Sequence, residues 1–304
     1  MTSRYLLCTD LDRTLIPNGS QPESPLAREL FRRLVGRPEL QLAYVSGRSL
    51  ALVQEAIDSW QLPCPDFILG DVGTSIFAAS TALEAVTEVK QPSMDSETDS
   101  ESLKWHRWES WDREIAPDWK GRSGQDIAGL LNDIPELELQ EAHKQSTFKS
   151  SYYVALGIDV EELLDTLRSI LSRADIEASL IWSVDEAAAT GLLDILPACA
   201  TKKHAIDFLI ENQQFELADT VFAGDSGNDL PVLTSPIHSV LVANASPAVR
   251  EAALQEAALS GHSDALYIAQ GGYLNMNGNY GAGIIEGFVH YIPEAEQWLQ
   301  EESR

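Results

Sequence analysis

Cysteine is scarce in this chain of 304 residues: Cys8, Cys64 and Cys199 are the whole complement, and they stand far apart. No CxxC and no Cys/His ligand spacing exists, which disfavours both a disulfide framework and a structural zinc site. A reducing compartment fits that usage. Long apolar runs are missing too. None approaches the ~20 residues that a helix needs to span a bilayer. The N-terminal MTSRYLLCTDLDR meets an acidic residue by position 10, without the apolar stretch of a signal peptide. The expectation is a cytoplasmic protein. Basic residues are few, 21 Lys and Arg against 47 Asp and Glu, for a formal net charge of −26. Such a surface repels phosphate backbones and anionic lipid, so neither a nucleic-acid nor a membrane partner is expected. An anionic substrate would need positive charge supplied locally at its site.

Material for a core is plentiful: 44% of the residues are hydrophobic, and the length suits about two domains. The first seventy residues alternate short apolar runs with helical faces. Tyr5-Leu6-Leu7-Cys8, Leu42-Ala43-Tyr44-Val45 and Phe67-Ile68-Leu69-Gly70 are the runs. Leu26, Leu30, Phe31, Leu34 and Val35, then Leu52, Val53, Ala56, Ile57 and Trp60, are the faces. Fully apolar strands between amphipathic helices predict a parallel sheet covered on both sides. The rhythm breaks near residue 80, where the acidic PSMDSETDSES of 92–102 reads as an exposed loop. It resumes near 191, with later strands at Val221-Phe222-Ala223, Val240-Leu241-Val242 and Leu266-Tyr267-Ile268. The predicted architecture is α/β: a Rossmann-like, doubly wound parallel core from 1–79 and 191–304, with an inserted α+β cap domain over 80–190. Hinges are expected near Ala78–Thr81 and Thr190–Leu193.

In open parallel sheets, sites form at the carboxyl ends of strands. Here those ends carry Asp10, Asp12 and Thr14, then Ser46-Gly47-Arg48, then Asp225-Ser226-Gly227-Asn228-Asp229. Asp10, Asp12 and Asp225 gathered together would repel one another unless a cation joined them. Hard oxygen donors with open positions suit Mg²⁺. An acid left free of the metal could attack phosphorus, and a neighbour could protonate the leaving oxygen. Ser46, the Gly47 N–H and Lys202 are natural phosphate grips. Thr201 is a plausible N-cap that would set Lys202 at the positive end of a helix. Each segment also has a bland reading: a solvated DxD turn, an exposed arginine, a wet helix start, an Asx-rich turn. The conjunction in this order, behind apolar runs, favours catalysis.

TDLDRTL, VSGRS, Lys202 and AGDSGNDLPVL resemble the four motifs of the haloacid-dehalogenase superfamily of Mg²⁺-dependent aspartyl-phosphate phosphatases. LDILPACATKKHAI, GDSGNDLPVL and GNYGAGIIEGFVHY are similar to the sucrose-6-phosphate phosphatase-like group within it. The resemblance implies Asp10 as nucleophile, Asp12 as general acid/base and Thr14 as the residue steadying their loop. It implies Ser46, Gly47, Lys202 and Asn228 on the phosphate. Asp10, the Asp12 carbonyl and Asp225 would hold Mg²⁺, with Asp229 behind them. Two departures stand out. Arg13 occupies a position where the group has a small or amide residue, and Gly73-Thr74-Ser75-Ile76 lacks the group's glutamate.

The implied activity is hydrolysis of a sucrose 6-phosphate-like sugar phosphate. The alternatives are another glycoside phosphate (glucosylglycerol or mannosylfructose phosphate), a phosphosugar mutase, and a non-catalytic partner of a sugar-phosphate glycosyltransferase. Such a transferase would supply the substrate. Catalysis is common to the superfamily, so the cap should choose the sugar. Arg48 and Lys149 are candidates to meet it. Trp105, Trp108, Trp111 and Trp119 could stack on sugar faces, although their three-residue steps favour a core role.

Overall fold

The short apolar runs become strands, because residues buried on both sides have no polar face to offer solvent. The structure, a computed structural model, describes residues 4–80, 82, 104–185 and 188–300. In chain order the strands are β1 (Tyr5–Thr9), β2 (Leu40–Val45), β3 (Phe67–Gly70), β4 (Ser75–Ala79), β5 (Trp105–Arg107) and β6 (Leu137–Leu139). They continue with β7 (Ser150–Val154), β8 (Ala178–Asp185), β9 (Thr190–Pro197), β10 (Thr220–Gly224), β11 (His238–Leu241) and β12 (Leu266–Ile268).

Eight strands form one sheet in the order β12-β11-β10-β1-β2-β3-β4-β5. From β12 to β3 the pairs are parallel; β4 and β5 are antiparallel additions at one edge. Alternate residues of β1 feed two separate cores. Leu6 and Cys8 pack with Ala205, Ile206 and Leu209 of the helix Lys202–Gln213. Tyr5 and Leu7 pack with Phe31, Ile284 and Phe288 of the helices Ala27–Val35 and Gly281–Tyr291. This is the doubly covered α/β sheet that the sequence predicts. The chain winds outward from β1 through β2 and β3 on one side and through β10, β11 and β12 on the other. Strand order therefore reverses between β1 and β10, the place where open sheets leave a crevice for ligands.

A second sheet, β6-β7-β9-β8, is wholly antiparallel and carries the helix Val160–Arg173, whose Leu163, Leu164, Leu167 and Leu171 are buried. It is drawn from chain lying between strands of the larger sheet, as expected for an insertion. The expected boundaries at 79/80 and 190/191 do not coincide with the change of sheet. β5 pairs with β4 in the large sheet, and β9 pairs along its whole length with β8 in the small one. The expected hinges fall inside paired strands: Ala78 and Ala79 are buried in β4, and Thr190–Leu193 belong to β9. Thr81 and the acidic stretch 92–102 lie outside the described residues.

The tryptophan-rich segment is mortar. Trp111 and Trp119 are fully buried. Trp111 donates from its indole N–H to the Gly73 carbonyl at 3.1 Å and packs against His204 and Phe208. Trp108 meets Phe67 edge-on. These rings join the inserted segment to β3 and to the helix behind Lys202. No helix among the described residues is long and apolar enough to cross a membrane.

Candidate active site

Asp10 is the first residue beyond β1, and its N–H donates to the Ala223 carbonyl of β10 at 2.9 Å. One parallel register thus sets Asp10 beside Gly224-Asp225. Carboxylate oxygens of Asp10, Asp225 and Asp229 lie within 4.8 Å of one another, all three residues buried. Thr14 bridges two of them: its hydroxyl is 3.2 Å from Asp225 Oδ1 and 3.5 Å from Asp10 Oδ2. Asp229 is fixed by its backbone surroundings, with Oδ2 accepting from the N–H groups of Asp225 and Ser226 at 3.1 Å each. Gly224 permits this arrangement, since a Cβ there would stand 2.6 Å from the Asp229 carboxyl carbon.

Lys202 opens the helix Lys202–Gln213, whose N-cap Thr201 accepts from the His204 N–H. A cation at a helix N-terminus opposes the helix dipole. Here its ammonium is buried and turned onto carboxylates: Asp10 Oδ1 at 2.9 Å, Asp229 Oδ1 at 2.7 Å, with Asn228 Oδ1 at 3.2 Å. Burial works against the charged form, but Asp10 and Asp229 outweigh it and raise the lysine above its ordinary pKa. Burial dominates at Asp10. Joined by Asp229 and Asp225 and opposed by Lys202, it pushes the carboxyl up to about 7. At Asp225, burial and Asp229 raise the carboxyl to about 6 against Arg13, Thr14 and Lys202. Buried carboxyls held so far above their usual range are short of positive charge. Three convergent hard oxygen donors short of charge fit a divalent cation such as Mg²⁺.

Asp12 is outside that cluster. Its carboxylate takes both arms of Arg48, at 2.7 Å each, and the Asn18 amide at 2.8 Å. Burial acts to raise its pKa, yet Arg48 and Asn18 together hold it below the usual range. Asp10 and Asp225, both expected as ligands, come together, and Asp229, expected behind them, joins their cluster; the Asp12 side chain, whose residue was expected to offer only its carbonyl, lies apart. Arg48, expected to face sugar or acid, faces acid. Ser46 is buried at the end of β2 and its hydroxyl oxygen accepts from the Arg48 N–H at 3.2 Å, while Gly47 is exposed. Lys202 does not bring free positive charge, as the sequence had suggested, because carboxylates already surround it.

Lys149 is a departure from a solvated edge charge. It is buried and reaches across from the smaller sheet to Asp71, 3.5 Å away. Asp71, Val72 and Gly73 follow β3 with φ of 52°, 62° and 96°. For a β-branched residue such as Val72 this backbone is strained, and strain of that kind collects at working sites. The turn is stitched to the Ser46-Gly47-Arg48 loop: Asp71 N–H donates to the Arg48 carbonyl at 2.9 Å and Val72 N–H to the Ser46 carbonyl at 3.1 Å. It also abuts Lys202, since a Cβ on Gly73 would meet the Thr201 carbonyl at 2.6 Å.

Asp71 escaped the sequence reading, although it too is an acid just past an apolar run. Asn244 escaped as well. Its amide donates to the Arg13 carbonyl at 2.6 Å and accepts from the Tyr280 N–H at 2.8 Å, tying down the loop that carries Asp10 and Asp12. Its signal was an asparagine just beyond the Val240–Val242 run.

A protein of Nitrosococcus oceani, classed only as a HAD-like hydrolase, is 48% identical over 99% of this chain and 75% of its own length. The mannosylfructose-phosphate phosphatase of Agrobacterium fabrum is 28% identical over 94% of this chain and 96% of its own. Among solved structures, the sucrose-phosphatase of Synechocystis sp. PCC6803, in complex with sucrose and phosphate, superposes with a TM-score of 0.67. It is 23% identical and covers 95% of this chain and 98% of that one. The family model of sucrose-6F-phosphate phosphohydrolase matches residues 3–292. The chain belongs to that family of sugar-phosphate phosphatases, with the haloacid-dehalogenase fold.

Proposed function

We propose that this phosphatase hydrolyses a disaccharide-type sugar phosphate resembling sucrose 6-phosphate, with Mg²⁺, through an aspartyl-phosphate on Asp10. One observation carries the reading: Asp10, Asp225, Asp229 and Lys202 converge at the strand-order reversal between β1 and β10. Asp10 Oδ1 is oriented by Lys202, and Oδ2, at the longer Thr14 contact, attacks phosphorus. The P–O bond to the sugar breaks and Asp12 protonates the departing oxygen. Asp12 then takes a proton from water, which attacks the acyl phosphate, releasing inorganic phosphate and restoring Asp10. For this exchange Asp12 must leave its two-armed pair with Arg48. Mg²⁺, held by Asp10, Asp225 and the Asp12 carbonyl with Asp229 in support, would neutralise phosphoryl charge. Ser46, the Gly47 N–H and Asn228 hold the phosphate oxygens.

The sugar lies toward the smaller sheet, where Lys149 and Asp71 face each other at the seam. A buried pair at 3.5 Å retains donors and acceptors that sugar hydroxyls can use. A second substrate, mannosylfructose phosphate, is favoured by the full-length relative of that name. Either ester must be made by a glycosyltransferase acting on a sugar phosphate, which is the expected upstream partner.

The test is phosphate release from sucrose 6-phosphate, mannosylfructose phosphate, glucosylglycerol phosphate, trehalose 6-phosphate and hexose phosphates, with and without Mg²⁺. Metal-dependent release from one of the disaccharide or glycoside esters is expected. Isomer formation without release would make the enzyme a mutase. Release confined to simple hexose phosphates would overturn the substrate class.

A further inference from the structure

Arg13 has no part in the chemistry above, yet its placement is heavily specified. It adopts a left-handed backbone, φ 62°, which favours glycine or asparagine over arginine. The loop holds it there: its N–H meets the Ile16 carbonyl at 3.1 Å and Asn18 Oδ1 at 2.8 Å, and its carbonyl accepts from Asn244 at 2.6 Å. From this fixed root the side chain, about half exposed, brings Nε within 3.4 Å of Oδ2 of the buried Asp225. The other oxygen of Asp225 is taken by Thr14.

We propose that Arg13 is a tethered cation that competes with the divalent ion for Asp225, and so sets the metal affinity of the site. The inference rests on the metal site of the proposed function. A guanidinium anchored beside Oδ2 neutralises the carboxylate that the ion would use. Once the ion is bound, the same guanidinium repels it at short range. Both effects weaken binding. Because Arg13 is half solvated, the penalty is moderate, about tenfold in affinity at low salt, and shrinks as salt screens it.

The experiment titrates Mn²⁺ into the full chain, reading free ion by electron paramagnetic resonance, and repeats the titration with Mg²⁺ by calorimetry. Wild type is compared with Arg13→Asn and Arg13→Lys at low and high NaCl. Asparagine tolerates the left-handed backbone, and Arg13→Gly serves if the asparagine variant fails to fold. Arg13→Asn should bind either ion about tenfold more tightly, with the gain reduced at high salt. Arg13→Lys, which keeps the charge, should stay near wild type. Equal or weaker affinity in Arg13→Asn overturns the role of Arg13 while leaving the metal site intact. Absence of binding to every form, wild type included, overturns the metal site and the inference with it.

Discussion

Gly73→Ala should damage catalysis through a residue with no chemistry of its own. The added Cβ would stand 2.6 Å from the carbonyl carbon and oxygen of Thr201 and 2.9 Å from the Lys202 nitrogen. Ordinary non-bonded contacts lie nearer ~3.5 Å, so two backbone segments must part by roughly 1 Å. The φ of 96° adds about 1–2 kcal/mol for any residue with a Cβ. Together these effects predict a loss of about 2–4 kcal/mol, read as a fall of roughly 3–6 °C in melting temperature. Parting the segments also pulls the helix start away from β3, and with it the ammonium that orients Asp10 at 2.9 Å. A misplacement of that size costs about a hundredfold in turnover. Thermal denaturation and phosphate release would be measured beside Gly129→Ala. Gly129 lies in the helix Gly124–Leu130, exposed, with nothing within 4 Å of a Cβ, so alanine there should leave turnover unchanged and add about 0.5–1 kcal/mol. A Gly73→Ala enzyme that melts and turns over like wild type would refute the claim that this turn positions Lys202.

Asp10→Asn should lower turnover by at least about a thousandfold while the fold persists; near-normal phosphate release would remove Asp10 as nucleophile. In chelator, melting temperature should fall as pH rises from about 4 toward 7. Native Asp10 and Asp225, at about 7 and 6, keep protons that unfolded carboxyls near 3.8 have already lost, so the native state binds more protons in that window. Mg²⁺ should flatten the slope and Asp10→Asn should remove part of it; an unchanged slope in that variant would count against the assignment. Lys149→Met and Asp71→Asn should each cost about 3–5 kcal/mol by stranding a buried charge, and the double variant should recover most of it. That double variant should bind phosphosugars at least about tenfold less well yet hydrolyse p-nitrophenyl phosphate normally. Equal loss on both substrates would place the pair outside sugar recognition.

The parts of the site written as contiguous signals could be read before folding. Asp10 and Asp225 each end a fully buried apolar run, and Lys202 follows a threonine that does cap its helix. What stayed hidden are pairings between distant segments. Arg48 and Asp12 are 36 residues apart, and Lys149 and Asp71 are 78 apart. Nothing local tells an arginine which of several acids it will meet; only the sheet order decides that β1 and β2 lie side by side. The change of sheet stayed hidden for a related reason. β5 is three residues long, too short for its alternation to announce a sheet, and β9 alternates equally well in either sheet. Two of the four tryptophans, Trp111 and Trp119, fill a core, but not as steps along one helix: Trp105 lies in β5, Trp108 precedes the helix Glu109–Ile115, Trp111 lies in it and Trp119 in the turn that follows.

The charge around the crevice explains why so acidic a chain can hold a phosphate ester at all. Among the described residues, five carboxylates gather around it in the ion pairs already given, from Asp10, Asp12, Asp71, Asp225 and Asp229. Four cations answer them: Lys202 on Asp10 and Asp229, Arg13 on Asp225, Arg48 on Asp12 and Lys149 on Asp71. Counted as fully ionised, the cluster is one negative charge in excess. A phosphomonoester near its dianionic form would take that excess to about three, in a region where burial already pushes two carboxyls upward. A divalent cation returns the balance to that of the protein alone, so on this arithmetic ester and ion should bind together far better than either binds singly. Each cation is already committed to one carboxylate or, for Lys202, two, so the phosphate cannot recruit one without loosening an acid. For Arg48 the acid released is Asp12, the group that the proposed reaction next requires as a proton donor. Substrate phosphate drawing on Arg48 would thus free Asp12 in the same movement, tying binding to the arming of the acid.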